Sequence, residues 1–176
     1  MARDIKIKDI RALAILSSNQ FITAVLILIV LCSIAFQNLP NEIYPNMLDL
    51  YFGFNGLEVQ KTFEVLGETG RTQYIYSSLI LDSLFPLLYV LLLVSIFLRL
   101  NERRALYLCL PCVAGLFDIG ENILISMMMS SRSFGDISSS QIFLGSLFNQ
   151  CKWSLCLCSV MFIIYKLTAS ILKREA

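Results

Sequence analysis

The chain has 176 residues, of which 57% are hydrophobic and only 15% charged, and its mean hydropathy is +0.72. Soluble domains hold roughly 45–50% apolar residues, so the composition points to an integral membrane protein, and the formal net charge of +1 gives no electrostatic footing for nucleic acid. The sequence contains no histidine, which removes histidine-held haem and zinc and Ser-His catalysis and leaves acid–base work to carboxylates, Lys152 or tyrosine.

In chain order, residues 1–11 form a basic flank, with Arg3, Lys6, Lys8 and Arg11 set against Asp4 and Asp9. Residues 21–36 carry no charge, and with the mixed residues before them they predict a first span over about 12–37, enough to cross a hydrocarbon core of roughly 30 Å. A cleaved signal peptide shares the basic start and apolar core, but here the leading segment is long and no A-x-A site follows.

Residues 39–73 make the only long polar stretch and are expected to form the first outer loop. Within it, Asn55 followed by Glu58 fits a capping box, and Val59, Phe63 and Leu66 make a helical apolar stripe. Gly67 suits the position past a helix end. A short amphipathic helix on the membrane surface, or over the end of the bundle, is predicted there. Arg71 and Tyr74 follow at the interfacial level, where such residues anchor a helix and where Arg71 can also meet an anionic head group.

The second span is expected over about 74–98. Its single charge, Asp82, shares a face with Ser78, Pro86 and Tyr89. A short basic connection, 99–104, makes spans two and three an antiparallel pair. The third span, about 105–130, has Pro111 placed to kink it and Ala114, Gly115 and Gly120 placed to let helices approach closely. It also holds Asp118, Glu121 and Asn122, which share one face at i, i+3 and i+4. After a Ser-rich loop, the fourth span, about 141–172, carries Gly145, Asn149, Lys152, Cys156 and Ser159 on one face.

Basic residues concentrate in the N-terminal segment, in 99–104 and near the C-terminus at Lys166, Lys173 and Arg174. Both termini are therefore expected to be cytoplasmic and the acidic 39–73 stretch outside. Counted from the outer ends at about 1.5 Å per residue, Asp82, Glu121, Asn122, Asn149 and Lys152 all fall roughly 12–17 Å deep, with Asp118 somewhat deeper. Lipid satisfies none of these groups, so they are expected to turn inward and meet. Three carboxylates against Lys152 leave an excess that must be protonated or balanced by a bound cation or cationic ligand.

The Cys109-x-x-Cys112 pair matches the spacing of a disulfide exchanger. Its place near the cytoplasmic end of span three, with no cysteine in the outer loop, favours packing instead. Met127, Met128 and Met129, at the outer end of span three, read as core or interface filler in preference to a copper site, since no cysteine or further methionine is expected nearby.

The set Gly70-Arg71-x-x-Tyr74, Leu81-Asp82-x-x-Phe85-Pro86-Leu87-x-Tyr89, Phe117-Asp118-x-x-Glu121-Asn122 and Lys152-Trp153 resembles a family of small four-helix multi-pass membrane proteins with no assigned activity. The resemblance covers about 51–153 and implies that these polar positions belong together.

The expected architecture is thus an all-α, single-domain four-helix membrane bundle with a buried polar pocket in the outer half of the bilayer. Asp118, Glu121, Asp82 and Lys152 are its candidate catalytic or electrostatic residues, and Arg71, Tyr74, Tyr89, Asn122 and Asn149 its candidate ligand-binding residues. Such a pocket would bind or modify a lipid-like or amphipathic molecule, with membrane lipids as its partners. A structural subunit of a membrane complex, its polar network only stabilising, is the alternative. Proton or cation translocation is disfavoured, because the polar layer has no inner half. These residues assign no cofactor and no metal.

Overall fold

A computed structural model describes residues 13–40, 43–100 and 105–175. The basic flank and the 101–104 part of the basic connection lie outside them. Among the described residues there are four long helices and no strand: α1 (Asn19–Gln37), α2 (Gly56–Arg99), α3 (Ala105–Met129) and α4 (Ser139–Glu175). Each contains a stretch long and apolar enough to cross a membrane.

The first span was expected from residue 12, but α1 starts at Asn19. Residues 13–16 are helical and then stop, and Ser18, in extended backbone, accepts a hydrogen bond from the Phe21 N–H. The Ser18 side chain thereby caps a new helix where an unbroken apolar pattern would have continued the old one.

At the start of α2, Asn55 accepts from the N–H groups of Leu57 and Glu58 while the Glu58 carboxylate accepts from the Asn55 N–H, completing the capping box. Helical dihedrals break at Gly67, with φ 58° and ψ −171°. A residue with a Cβ rarely adopts that backbone conformation, so glycine separates the amphipathic first part of α2 from the longer apolar part. Along both parts Val59, Leu66, Gly70, Tyr74, Ser78 and Asp82 recur at helical spacing and are buried. The helix continues through Pro86, and α3 continues through Pro111.

Contacts fix the helix directions. Arg99 on α2 reaches the Ser17 carbonyl beside the start of α1, while Leu81 lies against Cys32. Between α2 and α3, Arg71 meets Met129, Asp82 meets Asn122 and Tyr89 meets Asp118. Between α3 and α4, Met128 lies near Gly145, Glu121 bonds Asn149 and Tyr107 stacks on Phe162. In each pair one residue number rises as the other falls, so successive helices are antiparallel and the two ends of the described chain lie at one end of the bundle.

The segment between α1 and α2 departs from a simple surface loop. Two 3-10 turns, Tyr44–Asn46 and Leu48–Leu50, sink into the bundle, and Ile43, Met47 and Leu48 are at most 1% exposed. They join one apolar core with Phe36 of α1, Tyr74 of α2 and Met128 and Met129 of α3.

Close helix approach depends on glycine at two positions. A Cβ on Gly115 would lie 2.8 Å from Val90 Cγ2, and one on Gly120 would lie 2.7 Å from the Phe148 ring. That ring is held edge-on by Phe117, with centroids 5.3 Å apart. Gly120→Val should therefore destabilise the bundle by about 1–3 kcal/mol through overpacking. The check is the thermal unfolding midpoint of purified protein in detergent micelles, with Gly135→Ala as the control because the nearest atom to a Cβ there is 3.7 Å away.

Candidate functional site

A polar layer forms where α2, α3, α4 and the inserted segment meet. Lys152 of α4 projects into it at 6% exposure, and its Nζ lies 3.1 Å from Asp118 Oδ1 and 2.7 Å from Glu121 Oε2. The first contact is a hydrogen bond. The second is an ion contact whose angle falls outside hydrogen-bond geometry. One turn of α3 separates the two carboxylates, so the i, i+3 spacing aims both at a single ammonium. Asp118 is bound further by the Tyr89 hydroxyl, which donates to Oδ2 at 3.0 Å.

Asn149 lies one turn before Lys152 and is fully buried. Its Nδ2 donates to Glu121 Oε1 at 2.8 Å and to the Asp49 carbonyl at 3.4 Å, and its Oδ1 accepts from the Gly53 N–H at 2.6 Å. Backbone bonds within the two 3-10 turns satisfy only some of the inserted segment's polar groups, and side chains satisfy others. Tyr74 OH accepts from the Leu48 N–H and donates to Asp49 Oδ1, Trp153 Nε1 donates to the Asp49 carbonyl, and Ser146 Oγ accepts from the Phe54 N–H.

Asp82 differs from its neighbours. It is 4% exposed, and its Oδ2 has no hydrogen-bond partner among the described residues. Asn122, which shares its level, donates to the Asp82 backbone carbonyl at 2.8 Å and leaves the carboxylate alone. With Asp49, Tyr89, Asp118, Lys152 and Trp153, Asp82 forms the polar part of the lining of a cavity of about 400 Å³. Phe36 of α1, Met47 and Leu50 of the inserted segment, Phe85 and Leu92 of α2, and Val160 of α4 form its apolar wall. Leu50, Trp153 and Val160 are also well exposed, so the cavity opens sideways through the helix wall.

Of the residues singled out from the sequence, Asp82, Tyr89, Asp118 and Lys152 line this cavity, while Glu121, Asn122, Asn149 and Tyr74 stand in the network behind it. Arg71 stands apart from both. Its guanidinium donates to the carbonyls of Met129, at 3.3 Å, and Ser131, at 2.7 Å, and lies 3.6 Å over the Phe63 ring. A cation at the C-terminal end of α3 meets its unpaired carbonyls and the negative end of its dipole. Arg71 therefore holds a helix end and does not line the cavity as a ligand-binding residue would.

Sequence reading missed Asp49, placing it among the acidic residues of an outer loop, although it is only 7% exposed. The available signal was its setting in Met47-Leu48-Asp49-Leu50-Tyr51-Phe52, an apolar run inside the polar stretch. Cys109 and Cys112 are exposed free thiols, and neither lines the cavity.

Comparison with protein-family models, curated proteins and solved structures finds no match to this chain.

Two substitutions probe this layer. Asn149→Ala would strand the Gly53 N–H and one Glu121 oxygen in the interior, at about 1–3 kcal/mol for each unsatisfied group. It should lower the unfolding midpoint and speed proteolysis within residues 43–55. Lys152→Met leaves Asp118 and Glu121 buried without their counter-charge, a loss of about 3–5 kcal/mol. Adding Glu121→Gln should restore part of that stability, and no recovery in a thermal melt would show that Lys152 is not held by this charge balance.

Proposed function

We propose that this is a multi-pass membrane protein whose lateral cavity takes up an amphipathic or lipid-like small molecule from the outer half of the bilayer. Four helices of sufficient length and hydropathy support the membrane setting. So does the exposure of Leu26, Ile27, Val30 and Leu31 on α1 and of Leu157, Met161 and Ile164 on α4, a surface that lipid would cover. Antiparallel packing that leaves both ends of the described chain at one side, read with the basic residues that the sequence sets beside the chain ends and the second connection, supports cytoplasmic termini. The amphipathic first part of α2 then lies at the outer face.

The observation that carries the reading is the cavity itself. Its volume falls within the roughly 300–1,000 Å³ of small-molecule sites. Its wall is apolar on one side and on the other carries three carboxylates and one lysine, and it opens through the side of the bundle, where a molecule already dissolved in the bilayer can enter. Whether the bound molecule is also modified depends on carboxylates that can exchange protons, and Asp82 is the cavity carboxylate least committed to holding the fold together.

A second reading has its own support. Lys152, Asp118, Glu121 and Asn149 satisfy one another, as the polar glue of a structural subunit would. These four residues are assigned to stability, although Lys152 and Asp118 also line the cavity, and Asp82 and Asp49 to binding.

Native mass spectrometry of the purified protein separates the two readings. A small amphiphile should be retained by the natural chain and lost from Ser33→Phe, which fills the cavity from α1. Equal retention by both, with the variant folded, would remove the cavity as the binding site.

A further inference from the structure

We propose that the occupant of the lateral cavity is a cationic amphiphile, an apolar chain ending in a protonated or quaternary amine that is held by Asp82 and Asp49. This rests on the cavity reading above and narrows it to one charge class.

Charge is the first argument. Asp49, Asp82, Asp118 and Glu121 are all at most 7% exposed, and the buried cation among the described residues is Lys152. Lys152 is already engaged by Asp118 and Glu121. Asp49 has a hydroxyl hydrogen bond from Tyr74 and, among the described residues, no cation within ion-pair distance, and Asp82 Oδ2 has no hydrogen-bond partner among them. Two cavity-lining carboxylates thus share the field of Lys152 but have no ion-pair partner of their own among the described residues, in an apolar interior where a poorly compensated charge is costly. An ammonium group entering the cavity would supply it.

The chemistry of the wall favours the same charge class. Phe36, Tyr44, Phe85, Tyr89 and Trp153 line the same cavity. Aromatic faces attract organic cations, including quaternary ammonium groups that cannot donate hydrogen bonds. The Trp153 indole is fixed at the rim by its bond to the Asp49 carbonyl, which places a ring beside one of the two carboxylates. An inorganic ion is a poorer fit. Among the described residues no group of three or more His, Cys, Asp or Glu is arranged to hold a metal, and the rest of the lining cannot replace a hydration shell. An anionic amphiphile would bring its head group among Asp49, Asp82 and Asp118, where the one lining cation, Lys152, is already held by Asp118 and Glu121.

Trp153 is the only tryptophan in the sequence, so its emission reports on occupancy in the full chain. With protein in phosphatidylcholine nanodiscs, decyltrimethylammonium, 1-decanol and decanoate are titrated separately. The expected result is a saturable change in Trp153 emission, with decyltrimethylammonium binding at least about tenfold more tightly than either other probe. Asp82→Asn should abolish that preference without lowering the unfolding midpoint. If that variant does not fold, Asp49→Asn, which keeps an oxygen for Tyr74, should reduce the preference in the same direction. Equal binding of the three probes, or an undiminished preference in a folded Asp82→Asn protein, overturns the cationic assignment and leaves the amphiphile pocket standing. No saturable response to any probe overturns both.

Discussion

The bundle depends on one lysine held between two carboxylates of the adjacent helix. Lys152 sits 3.1 Å from Asp118 and 2.7 Å from Glu121 in a region where all three are nearly inaccessible. Charges removed from water are tolerated only when their partners are close and their remaining lone pairs are occupied. Asn149 and Tyr89 occupy them here, on Glu121 and Asp118 respectively. This pairing fixes the register of α3 against α4, since a shift of one residue in either helix would turn a charge toward the outside.

The same requirement explains why an irregular segment can lie inside the bundle. Residues 43–55 have no regular ladder to pair their backbone groups, and Asn149, Tyr74, Trp153 and Ser146 provide partners at four points. Side chains from α2 and α4 thereby hold one short stretch, and the stretch in turn places Asp49 beside the cavity. Support and site share residues: Asn149 braces Glu121 and the inserted backbone together, and Trp153 fixes that backbone and forms the cavity rim. Lys152, Asp118 and Glu121 are committed to holding the structure, while Asp82 and Asp49 face the cavity with spare capacity. This division underlies the proposal that binding and stability use different parts of one acidic layer.

Much of the architecture was readable from residue order alone. Apolar runs mark the spans, Asn55 and Glu58 mark the start of α2, and Gly67 marks its break, because each of these signals acts over a few neighbouring residues. The polar face of each helix was equally readable, since spacing of three and four determines which side chains share a side. That is why Asp82, Asp118, Glu121, Asn149 and Lys152 could be assigned to a common layer. The start of α1 was not, because the Ser17-Ser18 break is a local hydrogen-bonding choice within an otherwise continuous apolar pattern.

Residue order by itself determined the all-α class, the number of long apolar helices and the inward faces, because hydrophobic periodicity and capping chemistry are local. Only the tertiary structure decided that Asp49 leaves the polar stretch to enter the interior, that Arg71 closes the end of α3, and that Asp82 lines a cavity with one carboxylate oxygen unbonded among the described residues. Each of these follows from which groups lie within a few ångströms across different helices. Such distances depend on how the helices pack, and intervals along the chain do not encode them.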